Sequence, residues 1–240
     1  MASQIPGSVN LGQLNACVVR AARLDADCSP TGGTDNGIVS AGLVTMTADP
    51  VISEGTAFEQ KNACGAVLFS YTEDDKLTGW TFNGEFAFTD PEIASLLFGG
   101  SVIAGAAAGA FAGKSIGFAA PLYNAPARNG VYLEVVTTTI QEGAGNCISS
   151  SGATPVAYGH IFGKVKLTLG SISFANDIIR VAFTGKGTNN PNLFDGPWND
   201  YPGAGYIPNT SYAYVGYSQA QYSAILAAVA PGFVTLPAGS

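Results

Sequence analysis

Residues 77–89, LTGWTFNGEFAFT, constrain the fold more than any other part of the chain. Trp80, Phe82, Phe86 and Phe88 share one parity, and Thr81, Asn83, Glu85 and Ala87 share the other. Side chains alternate between the two faces of a β-sheet, whereas a helix would scatter these aromatic residues around its circumference. The stretch therefore predicts a half-buried antiparallel strand, with its aromatic face on a core and its polar face on water or a lumen. A row of large aromatic side chains needs a second layer to cover it, so a packed β architecture follows.

Other segments supply that layer. Residues 15–24, 38–48, 55–62 and 65–72 read as strands, as do AYGHIFGKVKLTL and SISFANDIIRVAFTGKG, and the acidic turn Glu73-Asp74-Asp75 leads into the aromatic strand. GVYLEVVTTTI, residues 130–140, is apolar on both faces and belongs in the middle of a sheet. The 31 Gly and 13 Pro favour many turns. One helix is well marked in TDPEIASLLFGG: Asp90 as N-cap, Pro91 at the first helical position, Glu92 at the positive end of the dipole, and Gly99-Gly100 as terminator. Its apolar stripe is Ile93, Leu96 and Leu97. Ser218 and Gln221 have capping-box spacing ahead of Tyr222, Ile225, Leu226 and Val229, and an extended docking tail is the alternative there. The expected fold is mainly β: a single antiparallel β-sandwich or barrel domain over residues 1–240 with one or two short flanking helices. An extended N-terminal arm, long loops at 26–37 and 101–129, and a C-terminal tail complete it.

Only 11% of the residues are charged against 47% hydrophobic. A free-standing soluble monomer ordinarily carries more charge, so partner subunits are expected to cover much of the surface. The net charge of −7 without a basic run argues against tight nucleic-acid binding through phosphate contacts. Cys17, Cys28, Cys64 and Cys147 include no C-x-x-C pair, and His160 is the single histidine, so no metal centre is expected. Small buried or semi-buried thiols are the expectation, and a Cys17–Cys28 disulfide is compatible with the spacing. MASQIPGSVN has neither a basic n-region nor an apolar h-region, and the apolar run 101–112 is too short to span a bilayer, so neither a secretory signal nor a membrane segment is expected.

Two catalytic motifs coincide in AGAFAGKS, residues 108–115. The run fits a relaxed phosphate-binding loop, and GKSIG fits a nucleophile elbow. The first requires a strand before it and a helix starting at Lys114, but Gly117, Pro121 and Pro126 fall where that helix would run. The second requires an acid and a histidine after Ser115, and His160 sits at the start of an apparent strand. Glu85 and Glu134 could be paired for glycoside hydrolysis, although nothing fixes their separation. Asp195, Asn199 and Asp200 could bind calcium or simply initiate turns. Tyr206, Tyr212, Tyr214 and Tyr217 could form a sugar platform or pack on a partner. No enzymatic activity and no cofactor are expected.

Four blocks resemble the major tail tube proteins of long-tailed, non-contractile bacteriophages, notably those of actinobacterial hosts. They are CVVRAARLD (17–25), EGTAFEQKNACGAVL (54–68) leading into LTGWTFNGEFAFTDPEIASLLFGG (77–100), GVYLEVVT (130–137), and FANDIIRVAFTGKGTNNPNLFDGPWNDYP (174–202). The resemblance spans roughly residues 15–205 and is loose in the C-terminal tail. It implies a structural virion protein that forms hexameric rings and stacks them into a hollow tube for DNA ejection. A long loop reaches the neighbouring ring, and the tape measure and tail terminator proteins are implied partners. Viral DNA passes without specific binding, and the location is the virion tail, assembled in the host cytoplasm. On that basis Thr81, Asn83 and Glu85, then Glu134, are candidates for the lumen, whose acidic faces would repel phosphate. Asp27, Pro30, Phe111, Lys114, Trp198 and Tyr201 are candidates for contacts between subunits or rings. A tail-completion or head–tail joining ring is the nearest alternative, and a carbohydrate-binding sandwich a more distant one.

Overall fold

In chain order the elements are β1 (Leu11–Arg23), β2 (Gly33–Ser40), β3 (Leu43–Ser53), β4 (Ala57–Lys61), β5 (Val67–Thr72), β6 (Lys76–Ala87), α1 (Pro91–Phe98), β7 (Ser101–Ala104), β8 (Ser115–Ala119), β9 (Val131–Gln141), β10 (Ala157–Ser173), β11 (Arg180–Thr188), β12 (Ala213–Tyr217), α2 (Gln219–Ala227) and β13 (Val234–Leu236). The structure, a computed structural model, describes residues 11–87, 90–122, 124, 128–141, 156–173, 180–193, 197–198, 210–230 and 232–237.

The main sheet runs β13-β2-β1-β9-β10-β11-β6-β3, with β12 also paired to β10, and every pairing is antiparallel. Its curvature follows from one short connection. Only Ala41 and Gly42 separate β2 from β3, yet six strand-to-strand steps lie between them in the sheet. A flat sheet would hold these strands roughly 29 Å apart at the usual strand spacing. Three peptide steps reach about 11 Å at most. The sheet therefore folds over on itself into a sandwich-like arrangement, without closing a barrel. Strand β10 spans the bend. Its first half pairs with β9 and β12 and its second half with β11, with register shifts between Phe162 and Val165 and between Leu169 and Ile172.

The core lies inside the fold. Val19, Ala21, Leu133 and Val135 from β1 and β9 share one cluster with Phe82, Phe86, Val181 and Phe183 from β6 and β11. The alternation read in 77–89 is present on β6: Phe82 and Phe86 are buried, and the Phe82 ring meets Phe162 edge-on at 4.8 Å. Strand β9 lies between β1 and β10, as its two apolar faces predict. Helix α1 closes the core with Ile93 to Phe98, all buried. Pro91 occupies its first turn and Gly99, at φ +80°, ends it. Asp90 stands at the N-cap position but makes no side-chain capping bond; its carboxylate accepts the backbone N–H of Gly232, tying the helix start to the C-terminal segment.

Several boundaries differ from expectation. The segment 38–48 is not one strand; it is broken at Ala41-Gly42, and its halves belong to opposite ends of the sheet. The loop expected at 26–37 is shorter, because β2 begins at Gly33. The segment 101–129 contains the β7–β8 hairpin. The C-terminal ambiguity resolves as helix α2 with a complete Ser218–Gln221 capping box, and β13 then docks on β2. Among the described residues no helix is long and apolar enough to cross a membrane.

Candidate assembly surfaces

Two hairpins leave the body of the fold. In the first, β4 and β5 pair, among the described residues, only with each other, and every residue of both strands is exposed. Phe58, Leu68, Phe69 and Tyr71 are 54%, 65%, 55% and 55% exposed. The Phe58 and Phe69 rings meet across the strands at 6.2 Å. The tip is well specified: Asn62 Oδ1 accepts the N–H groups of Cys64 and Ala66, and Gly65 takes φ +84°. At the root, Gly55 N–H donates to Asp75 Oδ1 and Glu73 N–H to Thr56 O. A two-stranded hairpin is marginal by itself in water, and one with bare aromatic side chains is stabilised chiefly by whatever covers it. The second arm, β7–β8, exposes Ile103, Phe111 and Ile116. AGAFAGKS forms its turn: Gly105 N–H donates to Lys114 O, Lys114 N–H donates to Phe111 O, and strand β8 starts at Ser115. Neither the helix of a phosphate loop nor the strand–turn–helix of an elbow is built there. Phe111 and Lys114 are exposed on this arm.

The polar parity of β6 belongs to a four-strand lattice on the outside of the fold. Asp49, Thr81, Lys186 and Lys166 form one cross-strand row, and Thr47, Asn83, Thr184 and Thr168 the next. Thr45, Glu85 and Ala182 follow. Glu85 lies 3.8 Å from Arg180, both about half-exposed. This face is not acidic. Its Asp49 and Glu85 are outnumbered by Lys166, Lys186 and Arg180, while its threonines are neutral.

Glu134 does not belong to it. Its side chain is 0% exposed and lies on the opposite half of the sheet, beneath the C-terminal segment. Arg20, its direct register partner on β1, donates to Glu134 Oε2 from Nε at 3.0 Å and Nη2 at 2.7 Å. The hydroxyls of Tyr132 and Tyr217 donate to its carboxylate at 2.7 and 2.6 Å. The Trp198 ring covers the Arg20 guanidinium at 4.6 Å. The lumen expectation for Glu134 is thus overturned by β12 and α2, whose Tyr217, Tyr222 and Ile225 cover Val18 and Val136 of the same face. Pairing Glu134 with Glu85 for glycoside chemistry fails for the same reason, since the two occupy different faces. The signal was present in sequence: Glu134 is the one charged residue of β9 and Arg20 stands inside the apolar run CVVRAA, and buried charges require partners.

The remaining candidates divide. Trp198, expected at an interface, is half-buried against Tyr132 and Arg20 within the subunit. Asp27 and Pro30 lie in a folded-back loop. Asp27 Oδ1 accepts Ser29 N–H, Asp27 O takes a bond from Asn192, and Pro30 bridges Leu24. A side-chain hydrogen bond between Asp25 and Asp27 holds Asp25 above the usual carboxylate range and lowers Asp27 to about 2. The tyrosines do not form one platform: Tyr217 is buried, Tyr212 stacks on His160, and Tyr214 is exposed. Cys28 is a free thiol, which removes the Cys17–Cys28 disulfide, and Cys64 is free at the first arm's tip. Among the described residues no cluster could hold a metal ion. Tyr201, Tyr206, Asp195, Asn199, Asp200 and Cys147 lie outside the described residues.

No protein-family model matches this sequence, and no curated protein matches it.

Proposed function

We propose that the chain is a structural subunit that polymerises with copies of itself, as stacked rings forming the tail tube of a long-tailed bacteriophage. The observation that carries the self-assembly reading is the β4–β5 arm, whose aromatic side chains are more than half exposed and uncovered by the described residues of the subunit. A chain with so few charges and two exposed apolar arms gains most by burying them in neighbours. Strand edges at β3 and β4–β5 that no described strand pairs favour the same outcome, because unpaired edges seek pairing partners. The tail tube assignment rests on the sequence blocks, one of which, KNACG, forms the tip of that arm. The six-fold ring, the tape measure and terminator partners, the virion location and the passage of DNA come from the resemblance. A polar lattice rich in threonine and close to neutral supports a channel wall that DNA crosses without sticking, and replaces the acidic wall first expected.

The second reading, a ring that terminates a tube instead of extending it, uses the same arms. Negative-stain electron microscopy of the purified protein separates the two: long tubes are expected, single rings support the terminating role, and a dispersed monomer at high concentration defeats both.

A further inference from the structure

A cleft of about 230 Å³ opens where the end of α1 meets β1 and the start of β9, lined by Arg23, Ser95, Gly99, Gly100, Arg128 and Asn129 among others. Two of the chain's ten cationic residues converge there. Arg128 is fixed in place. Its Nη1 donates to Leu97 O at 3.1 Å, with Leu96 O at 3.5 Å, and its Nη2 donates to Leu167 O at 3.1 Å. Glycine at 99 leaves room for it, since a Cβ there would lie 2.8 Å from Arg128 Cδ. Burial and the charge of Arg23 both disfavour the Arg128 cation. Among the described residues neither Arg23 nor Arg128 has an ion pair with a carboxylate that would relieve this repulsion. A fixed guanidinium and an exposed one, sharing a cleft without a counter-ion among the described residues, are arranged to take an oxyanion between them.

We propose that this cleft is an oxyanion site and that its occupant in the assembly is a carboxylate from a second copy of the chain. The second half of that statement rests on the self-assembly reading. Carboxylates outnumber cations 17 to 10, so each copy carries unmatched acids. Their densest exposed group is the knuckle at the root of the first arm, Glu54 with Glu73, Asp74 and Asp75. None of these four has an ion pair among the described residues. The knuckle sits at the base of the surface that self-assembly would bury, so docking the arm brings acids to a neighbour.

Inorganic phosphate is the first probe, read by thermal unfolding of the full chain against sodium chloride at equal ionic strength. Phosphate is expected to raise the melting temperature of the wild-type chain, and Arg23→Gln to abolish that rise while folding normally. Absence of a phosphate response, or an undiminished one in Arg23→Gln, overturns the site. The second probe is a charge swap. Arg23→Glu is expected to raise the critical concentration for assembly tenfold or more, and adding Glu73→Arg and Asp74→Arg to restore it. A phosphate response with unchanged assembly in Arg23→Glu overturns the second-copy occupant. Retention of duplex DNA that Arg23→Gln abolishes and the swap does not restore assigns the cleft to phosphodiesters and also overturns the carboxylate. If the wild-type chain never assembles, the self-assembly reading fails and the second-copy occupant with it, while the phosphate arm still decides the cleft.

Discussion

Glu134 and Arg20 face each other on adjacent strands, both buried beneath the C-terminal segment. Removing one partner leaves the other charge buried without a counter-ion. Glu134→Gln is therefore expected to cost about 3–5 kcal/mol, read from the urea unfolding midpoint. The double variant Arg20→Met with Glu134→Leu should cost clearly less than the sum of its single changes, because neither charge is then stranded. Additive costs would refute the coupling. Gly159 belongs to the same arrangement: a Cβ there would clash with Glu134 Oε1, so only glycine fits beside the carboxylate. His160 gives a pH-dependent counterpart. Burial holds its pKa below the ordinary 6.5, with Nδ1 2.8 Å from the Tyr212 hydroxyl. Between that lowered value and 6.5 the unfolded chain binds a proton that the folded chain does not, so stability falls as the pH drops through this window. His160→Gln should flatten that part of the stability–pH curve relative to wild type; an identical curve would show that other groups set it.

Among the elements, the two arms differ from the body in what keeps them ordered. The β4–β5 hairpin has its Asn62 tip and its ladder but no core, so its deletion should leave the sandwich intact. Replacing residues 56–72 by a short Gly-Ser link is expected to preserve the unfolding transition of the body and abolish higher-order assembly. Phe58→Ser with Phe69→Ser should act in the same direction. Size-exclusion chromatography beside circular dichroism checks both, and assembly at wild-type concentration would remove the arm from the interface. Removing residues 104–112 tests the β7–β8 arm in the same way. The helices were the most legible elements. Pro91, Glu92 and Gly99 mark α1 locally, and the capping box marks α2, because caps and terminators act over one turn. What α2 covers was not legible, since its buried Tyr222 and Ile225 rest on Val18 and Val136, far away in the chain.

At the scale of the whole molecule, the fold-over created by Ala41-Gly42 separates a polar lattice on one outer face from a covered, mostly apolar face on the other. If the lattice lines a channel, Glu85→Lys should leave tube formation unchanged, since its exposed contact with Arg180 is worth at most about 1 kcal/mol. It should slow DNA ejection from particles carrying the change; an unaltered rate would place Glu85 elsewhere. The sequence by itself determined the antiparallel β class, the parity of 77–89, the central place of β9 and helix α1, with α2 one of two readings it left open. These follow from periods of two residues and from caps that span a single turn. It also showed charges at Arg20 and Glu134 inside apolar runs without saying that they meet. Only the tertiary structure decided which faces are covered, that Glu134 is buried, that Trp198 turns inward, and that 38–48 divides between the ends of the sheet. Those outcomes depend on residues brought together from distant parts of the chain, as when Tyr217 accepts a bond from Arg20 across 197 positions, and no local period encodes them.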